Sequence, residues 1–394
     1  MSSEHPPRDE ARADLLSPVE AIRTGPRRGA VRDGVALCLS GGGYRAMLFH
    51  AGALWRLNEA RWLPKLDRIS SVSGGSITAA LLGLAWSRLE FDQSGRAAKL
   101  EELVVTPLRR LASMTIDVPA VVRGILTPGS ISQRVERSYH KHLFGSATLQ
   151  DLPDRPRIVI NATNMQSGAL WRFMKPYMRD YRVGQVIRPK VSLALAVAAS
   201  AAFPPFLGPV RLRIDPKDLA PGDGFEDLRR EPFTSEVVLC DGGVYDNLGL
   251  ETAWKRYRTI LVSDAGGRMR PDPDPHNEWA GQSHRVLDLI DNQVRCLRKR
   301  QVVSSLRRGK RKGAYWGIRS DITHYRLADS LACPHDVTMK LAETETRLAA
   351  MPELLQEQLI NWGYAVCDAA MRKHADRKLV VPEGFPYPEA GVGE

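Results

Sequence analysis

The chain has 394 residues, 43% hydrophobic and 26% charged, the composition of a soluble globular protein and not of a disordered or fibrous one. Lysine and arginine number 56 against 45 aspartates and glutamates, a net charge of +11 that suits nucleic acid, a membrane surface or an anionic substrate. Five scattered cysteines (Cys38, Cys240, Cys296, Cys333, Cys367) without a Cys-x-x-Cys exclude a disulfide framework and a cysteine-rich zinc site, and fit a reducing compartment.

The N-terminus lacks an apolar run, so no cleaved secretory signal is expected and the protein is placed in the cytoplasm. Residues 1–30 are polar and proline-interrupted and read as a mobile tail. From Val31 short β-branched runs alternate with helical ones, the pattern of an α/β sheet. A strand at Val35–Leu39 meets Ser40-Gly41-Gly42-Gly43 and then a helix from Tyr44 to about Arg61. A second strand, Asp67–Val72, breaks at Ser73-Gly74-Gly75 into a helix from Ser76 to Trp86. Helical patterns follow at Ala98–Ser113 and Ser132–Leu143, then strands at Arg157–Ala162 and Ala169–Phe173. The apolar stretch Val191–Val210 raises the question of a membrane span, but Pro204-Pro205 interrupts it and a buried helix is the better reading. Arg213–Glu231 reads as a surface loop. Strands at Glu236–Cys240 and Thr259–Ser263 each end in an aspartate followed by glycines; a long helix at Ser283–Leu306, a strand at Ala314–Ile318 and a helix at Pro352–Arg372 complete the chain.

Two of these turns carry chemistry. Ser73 has a strand behind it and Gly74-Gly75 ahead, the arrangement of a nucleophile elbow, in which small neighbours permit a tight turn that exposes Oγ at a helix N-terminus. Ser71 replaces the first glycine of that pattern, and Ser70, Ser71, Ser73 and Ser76 read equally well as helix caps. The Gly41-Gly42-Gly43-x-Arg45 run leaves backbone N–H groups uncovered where the helix dipole favours negative charge, a nest suited to an oxyanion. It also satisfies a dinucleotide fingerprint, yet the acidic residue that a ribose requires is missing from the end of the second strand, Asp67 standing at its beginning. For a base, nine histidines in no recognisable motif leave a Ser-His-Asp triad open, while Asp241 stands where a strand ends in Gly242-Gly243, with Asp246 and Asp264 as rivals. His140-Lys141-His142 has no spaced acidic or cysteine partner and reads as a solvated helix face.

The runs Ser40-Gly41-Gly42-Gly43-x-Arg45, Ser71-Val72-Ser73-Gly74-Gly75-Ser76, Ala199-Ser200-Ala201-Ala202-Phe203-Pro204 and Asp241-Gly242-Gly243 together resemble the patatin-like phospholipases, which carry them in this order. The resemblance covers roughly residues 33–267. It implies an α/β fold, a three-layer αβα sandwich around a central, mostly parallel sheet, and hydrolysis of lipid acyl esters by a Ser-Asp dyad without histidine. By the same resemblance Ser73 is the nucleophile, Asp241 the base, and the backbone of Gly41, Gly42 and Gly43 the oxyanion hole, braced by Arg45, with Gly74 and Gly75 supporting the elbow. No metal or organic cofactor follows from that mechanism. The domain reading is a tail (1–30), a catalytic domain (31–270), a C-terminal helical extension (271–380) and a second tail (381–394).

Arg295, Arg298, Lys299, Arg300, Arg307, Arg308, Lys310, Arg311 and Lys312 form a basic segment with no acidic residue. It reads either as a solvated helix face or as a contact to an anionic membrane at the inner surface; no nucleic-acid motif accompanies it.

Overall fold

A parallel strand covered on both faces needs an apolar run rather than an alternating one, and β1 (Arg32–Leu39) meets that demand with Ala36, Leu37, Cys38 and Leu39 all buried. The computed structural model describes residues 31–117, 131–204, 207–222, 226–275 and 277–394. The expected N-terminal tail and Pro205 lie outside the described residues. From β1 the chain enters α1 (Gly43–Glu59), and β2 (Leu66–Ser71) enters α2 (Gly74–Ala85), so both strand–glycine–helix units occur as read.

Next come β3 (Arg157–Asn164), β4 (Leu170–Phe173), β5 (Tyr177–Asp180), β6 (Gly184–Ile187), α3 (Leu193–Ser200) and β7 (Val210–Arg213). After them come β8 (Leu219–Ala220), β9 (Glu236–Asp241), β10 (Tyr257–Asp264), α4 (Trp279–Arg307), β11 (Lys312–Gly317) and α5 (Glu353–Ala370). Strands β11, β10, β1, β2 and β3 lie side by side and run parallel. Beyond β3 the sheet continues antiparallel through β4, β5, β6 and β8, and β9 joins β3 and β7. The expected α/β sandwich with a parallel centre is therefore present, and the antiparallel wing extends it. Part of the stretch expected as a surface loop is strand β8, recruited by pairing of Leu219 with Val186.

Alternate residues of the central strands face two cores. Leu37, Leu39 and Leu261 pack with Phe49 of α1, Leu82 of α2 and Ile360 of α5. On the opposite face Ala36, Cys38, Ile260 and Val262 pack with Leu248, Leu250 and Val302 of α4, so helices cover both sides. The stretch after residue 270 contributes β11 to the sheet edge and α5 to the larger core, where Asp368 binds Arg56 of α1 at 2.8 Å. Within the terminal segment expected as a tail, Tyr387 and Gly391 each offer a carbonyl to the Asn361 amide at 2.7 Å. The apolar stretch that raised the membrane question forms α3, capped by Ser192, whose Oγ accepts the Leu195 N–H at 3.1 Å. Among the described residues no helix is long and apolar enough to cross a membrane.

Candidate active site

The site forms at the carboxyl ends of the parallel strands, where α/β sheets leave a crevice. Ser73 caps α2 with φ +51° and ψ −122°, a conformation that costs a non-glycine residue roughly 1–3 kcal/mol and persists only when neighbours impose it. Several do so. The Ser73 N–H donates to Ser200 Oγ at 2.9 Å, and Ser200 Oγ donates to the Asn161 carbonyl at 2.7 Å. Ser76 Oγ lies 2.9 Å from Ser200 Oγ and donates to Ser71 Oγ at 3.0 Å. Ser71, the departure from the glycine pattern, is buried and donates to the Val159 carbonyl at 3.0 Å, so its hydroxyl is absorbed within the turn. At Gly74 a Cβ would stand 2.1 Å from the Gly43 carbonyl, so only glycine lets the elbow rest on the glycine loop.

Asp241 reaches Ser73 through the pairing of β3. Strand β2 accompanies β3 as far as Ser71 opposite Ile160; β9 then takes the same edge, with Asp241 opposite Ala162. The strand carrying the serine departs where the strand carrying the aspartate arrives. Segment 200–202 ties the two together, since the Ala202 carbonyl accepts the Asp241 N–H at 3.0 Å and the Ser200 carbonyl accepts the Gly242 N–H at 3.2 Å. Burial pushes the Asp241 carboxyl up to about 6, against the Gly243 N–H at 2.6 Å, the Ser73 hydroxyl and the Arg295 charge, which favour its ionised form.

The glycine loop divides its N–H groups. Gly41 donates to the Asn247 carbonyl at 3.1 Å, whereas the Gly42 and Gly43 N–H groups have no acceptor among the described residues. Gly42 has φ +144°, open to glycine and not to other residues. Arg45 is buried at the start of α1: Nη2 donates to the Ala265 carbonyl at 3.0 Å, and Nη1 bonds the Thr344 carbonyl. His50 steadies the loop's entry. Its Nε2 lies 2.9 Å from the Ser40 carbonyl, which can only accept, so Nδ1 accepts from Ser263 Oγ at 2.8 Å. Burial lowers its pKa to about 4 and keeps it neutral.

The rivals of Asp241 are engaged elsewhere. Asp246 accepts the Glu251 N–H at 2.7 Å and the Leu248 N–H at 3.3 Å. Asp264 binds Lys299 at 2.6 Å and the Tyr315 hydroxyl at 2.7 Å; burial raises its pKa, and these partners with the Gly266 N–H bring it below its ordinary value.

The basic segment requires correction at this point. Arg295 donates to the Gly267 carbonyl at 3.0 Å and pairs with Asp291, Arg298 pairs with Glu251 at 3.1 Å, and Lys299 with Asp264. Those three face the ends of β9 and β10 and the loops that follow them, because α4 packs its polar side on acidic residues there. Arg311 donates to the Trp254 carbonyl at 3.1 Å and lies over the Trp254 ring. Arg300, Arg307, Arg308, Lys310 and Lys312 remain exposed. Two residues the sequence reading left without a role also emerge. Ser200 holds the elbow, and Asn247 fills the space among Gly41, Gly243 and Gly266, each of which would place a Cβ within 2.9 Å of its amide.

The family model of the patatin-like phospholipases matches residues 37–254. The chain belongs to the patatin-like phospholipase family. The match takes in the elbow, the glycine loop, segment 200–202 and Asp241, and leaves α4, β11 and α5 outside it. No curated protein matches this patatin-like chain in sequence. Among solved structures, human GIVD cytosolic phospholipase A2 in complex with methyl gamma-linolenyl fluorophosphonate superposes with a TM-score of 0.50 at 13% identity, over 86% of this chain and 57% of that one. A further structure of the human enzyme gives 0.39 at 13% identity, covering 62% of this chain and 49% of that chain. VipD from Legionella pneumophila gives 0.33 at 16% identity, covering 86% and 67%. This chain thus spans about half the length of the human enzyme. At such identity the likeness is one of fold.

Proposed function

We propose that this patatin-like protein is a serine-dependent acyl hydrolase of lipid esters, working through a Ser73–Asp241 dyad. The observation that carries the reading is the convergence of a serine held at positive φ with a buried carboxylate whose ionised form the Ser73 hydroxyl favours, both fastened to segment 200–202. Asp241 takes the Ser73 proton as Oγ attacks the ester carbonyl. The tetrahedral oxyanion is received by the Gly42 and Gly43 N–H groups, each such donor being worth about a hundredfold or more in kcat. Asp241 then returns the proton to the departing alcohol, and a water repeats the sequence to release the acid. A base with a pKa of about 6 is ionised at neutral pH and still basic enough to accept the proton. Family membership supports the lipid substrate class. Reversible adsorption to a lipid surface through the exposed part of α4 belongs to the same proposal.

The test compares wild type with Ser73→Ala, Asp241→Asn and the double variant on short-chain and long-chain esters. Each single variant is expected to lose turnover with the fold intact, and the double to be little worse, because groups acting as a unit are not additive. An alkyl fluorophosphonate is expected to add its mass at Ser73 and nowhere else. Substitution of His284, His324 or His276, the last of which lies outside the described residues, that proved as damaging as Ser73→Ala would replace the dyad with a triad.

A further inference from the structure

Edge strand β11 borders a cavity of about 810 Å³ that contains none of the residues of the Ser73 site. That volume falls in the range of small-molecule pockets. The end of α4 supplies Val303, Leu306 and Arg307 to its wall; the strand supplies Lys312 and Tyr315, and Arg319 follows it. Trp62, Tyr325 and His374 close the far side, with Tyr325 and His374 in edge contact at 5.8 Å between centroids.

The cavity's charge is one-sided. Arg307, Arg311, Lys312 and Arg319 line it against a single carboxylate, Asp321, which is occupied by the Thr323 N–H at 2.9 Å and the Thr323 hydroxyl at 2.6 Å. Arg319 turns one Nη to the Ala342 carbonyl, and its buried Nε has no acceptor among the described residues. His324 and His335 add two further imidazoles to the lining. His374 is held below its ordinary pKa by burial first and then by Lys373, Arg307 and Arg377, a sign of how crowded with positive charge this corner is. Cations gathered from separate elements repel one another, and an anion placed among them removes that cost while binding through charge-assisted hydrogen bonds.

We propose that this cavity is a binding site for a phosphate-bearing ligand, the anion seated among Arg307, Lys312 and Arg319 with Trp62 and Tyr325 flanking the remainder. The site is independent of the dyad, and it gives the exposed basic residues at the end of α4 a discrete ligand. The phosphate could belong to a soluble molecule or to a lipid headgroup, and the experiment separates them. The full chain is titrated by calorimetry with sodium pyrophosphate, and in parallel with phosphatidylcholine vesicles containing phosphatidic acid, at constant ionic strength. The expected result is saturable binding in at least one arm, weakened about tenfold or more in Arg307→Gln/Lys312→Gln and unchanged in Arg88→Gln, an exposed arginine outside both the cavity and α4. A pyrophosphate response assigns the free anion and a response to vesicles alone assigns the headgroup. Silence in both arms, or equal weakening by Arg88→Gln, overturns the proposal. All the substituted side chains are exposed, so thermal melting of the variants is expected to match wild type.

Discussion

A carboxylate buried without a full ion pair opposes folding once it ionises, and Asp241 is in that position. Its folded pKa of about 6 lies above the ordinary 3.8, so the native state holds the proton more tightly than the unfolded chain. Stability from the protonated form is present below the unfolded value and is lost as pH rises through about 6, by roughly 3 kcal/mol at most. Asp241→Asn does not titrate there. The Tm difference between this variant and wild type is therefore expected to grow in the variant's favour between pH 4 and pH 8, and a constant difference would mean that Asp241 does not change charge on this interval. On the proposed mechanism catalysis runs the other way, because Asp241 acts as base only when ionised: kcat/KM is expected to rise with pH along an acid limb centred near 6. Arg295 opposes the effect of burial on Asp241, so Arg295→Gln is expected to move that limb to higher pH and Arg295→Lys to return it. A limb unmoved by Arg295→Gln would remove Arg295 from the electrostatics of the site.

At the level of elements, the glycine loop and α3 hold the elbow from opposite sides. Ser200→Ala leaves the Ser73 N–H without its partner, a loss of about 1–3 kcal/mol. The expected outcome is a kcat lower by about tenfold or more with KM little changed, since the serine is misaimed while the substrate surface stays intact. Gly42→Ala places a Cβ 2.8 Å from the Ala265 carbonyl at φ +144°, so it is expected to lower both Tm and kcat; normal turnover would take the Gly42 N–H out of the mechanism. Much of this arrangement was legible in the sequence, because a strand buried on both faces reads as an apolar run and a turn without space for a Cβ reads as glycine. Gly42, Gly74, Ser73 and Asp241 stand out for that reason. Ser200 was visible only as part of a pattern, since its role is a bond to a backbone N–H far away in the chain. The wing strands β5 to β8 were missed because each is only two to four residues long, and pairing with neighbours rather than local pattern makes them strands. Gly41 was read with its neighbours as an oxyanion donor, and the contact that uses its N–H comes from Asn247, which no local rule connects to it.

On the scale of the whole molecule, α4 joins the site to the surface. Val302 packs the helix on the sheet, and Arg295 and Lys299 reach the end of β10 and the loop after it, while the outward side of the helix exposes Trp279 at 82%, Leu287 at 64%, Ile290 at 56% and Leu297 at 58%. With about 100° between successive residues, Trp279, Ile290 and Leu297 fall on one stripe. A folded protein seldom leaves such a stripe in water without a use for it. The exposed cations Arg300, Arg308 and Lys310 lie beyond its C-terminal end. Apolar side chains that enter the acyl boundary and cations near an anionic leaflet act together in reversible adsorption, each cation contributing about 1 kcal/mol within a Debye length of roughly 8 Å. The variant Trp279→Ser/Leu287→Ser/Ile290→Ser/Leu297→Ser is therefore expected to sediment less with anionic vesicles and to hydrolyse their lipids more slowly by about tenfold, while keeping wild-type activity on a soluble short-chain ester. Arg300→Gln/Arg308→Gln/Lys310→Gln is expected to weaken the same binding mainly at low salt, where the cations are least screened. Equal losses on vesicles and soluble ester would make the outer half of α4 a support of the site itself, and no loss on either would leave the stripe without a part in reaching the substrate.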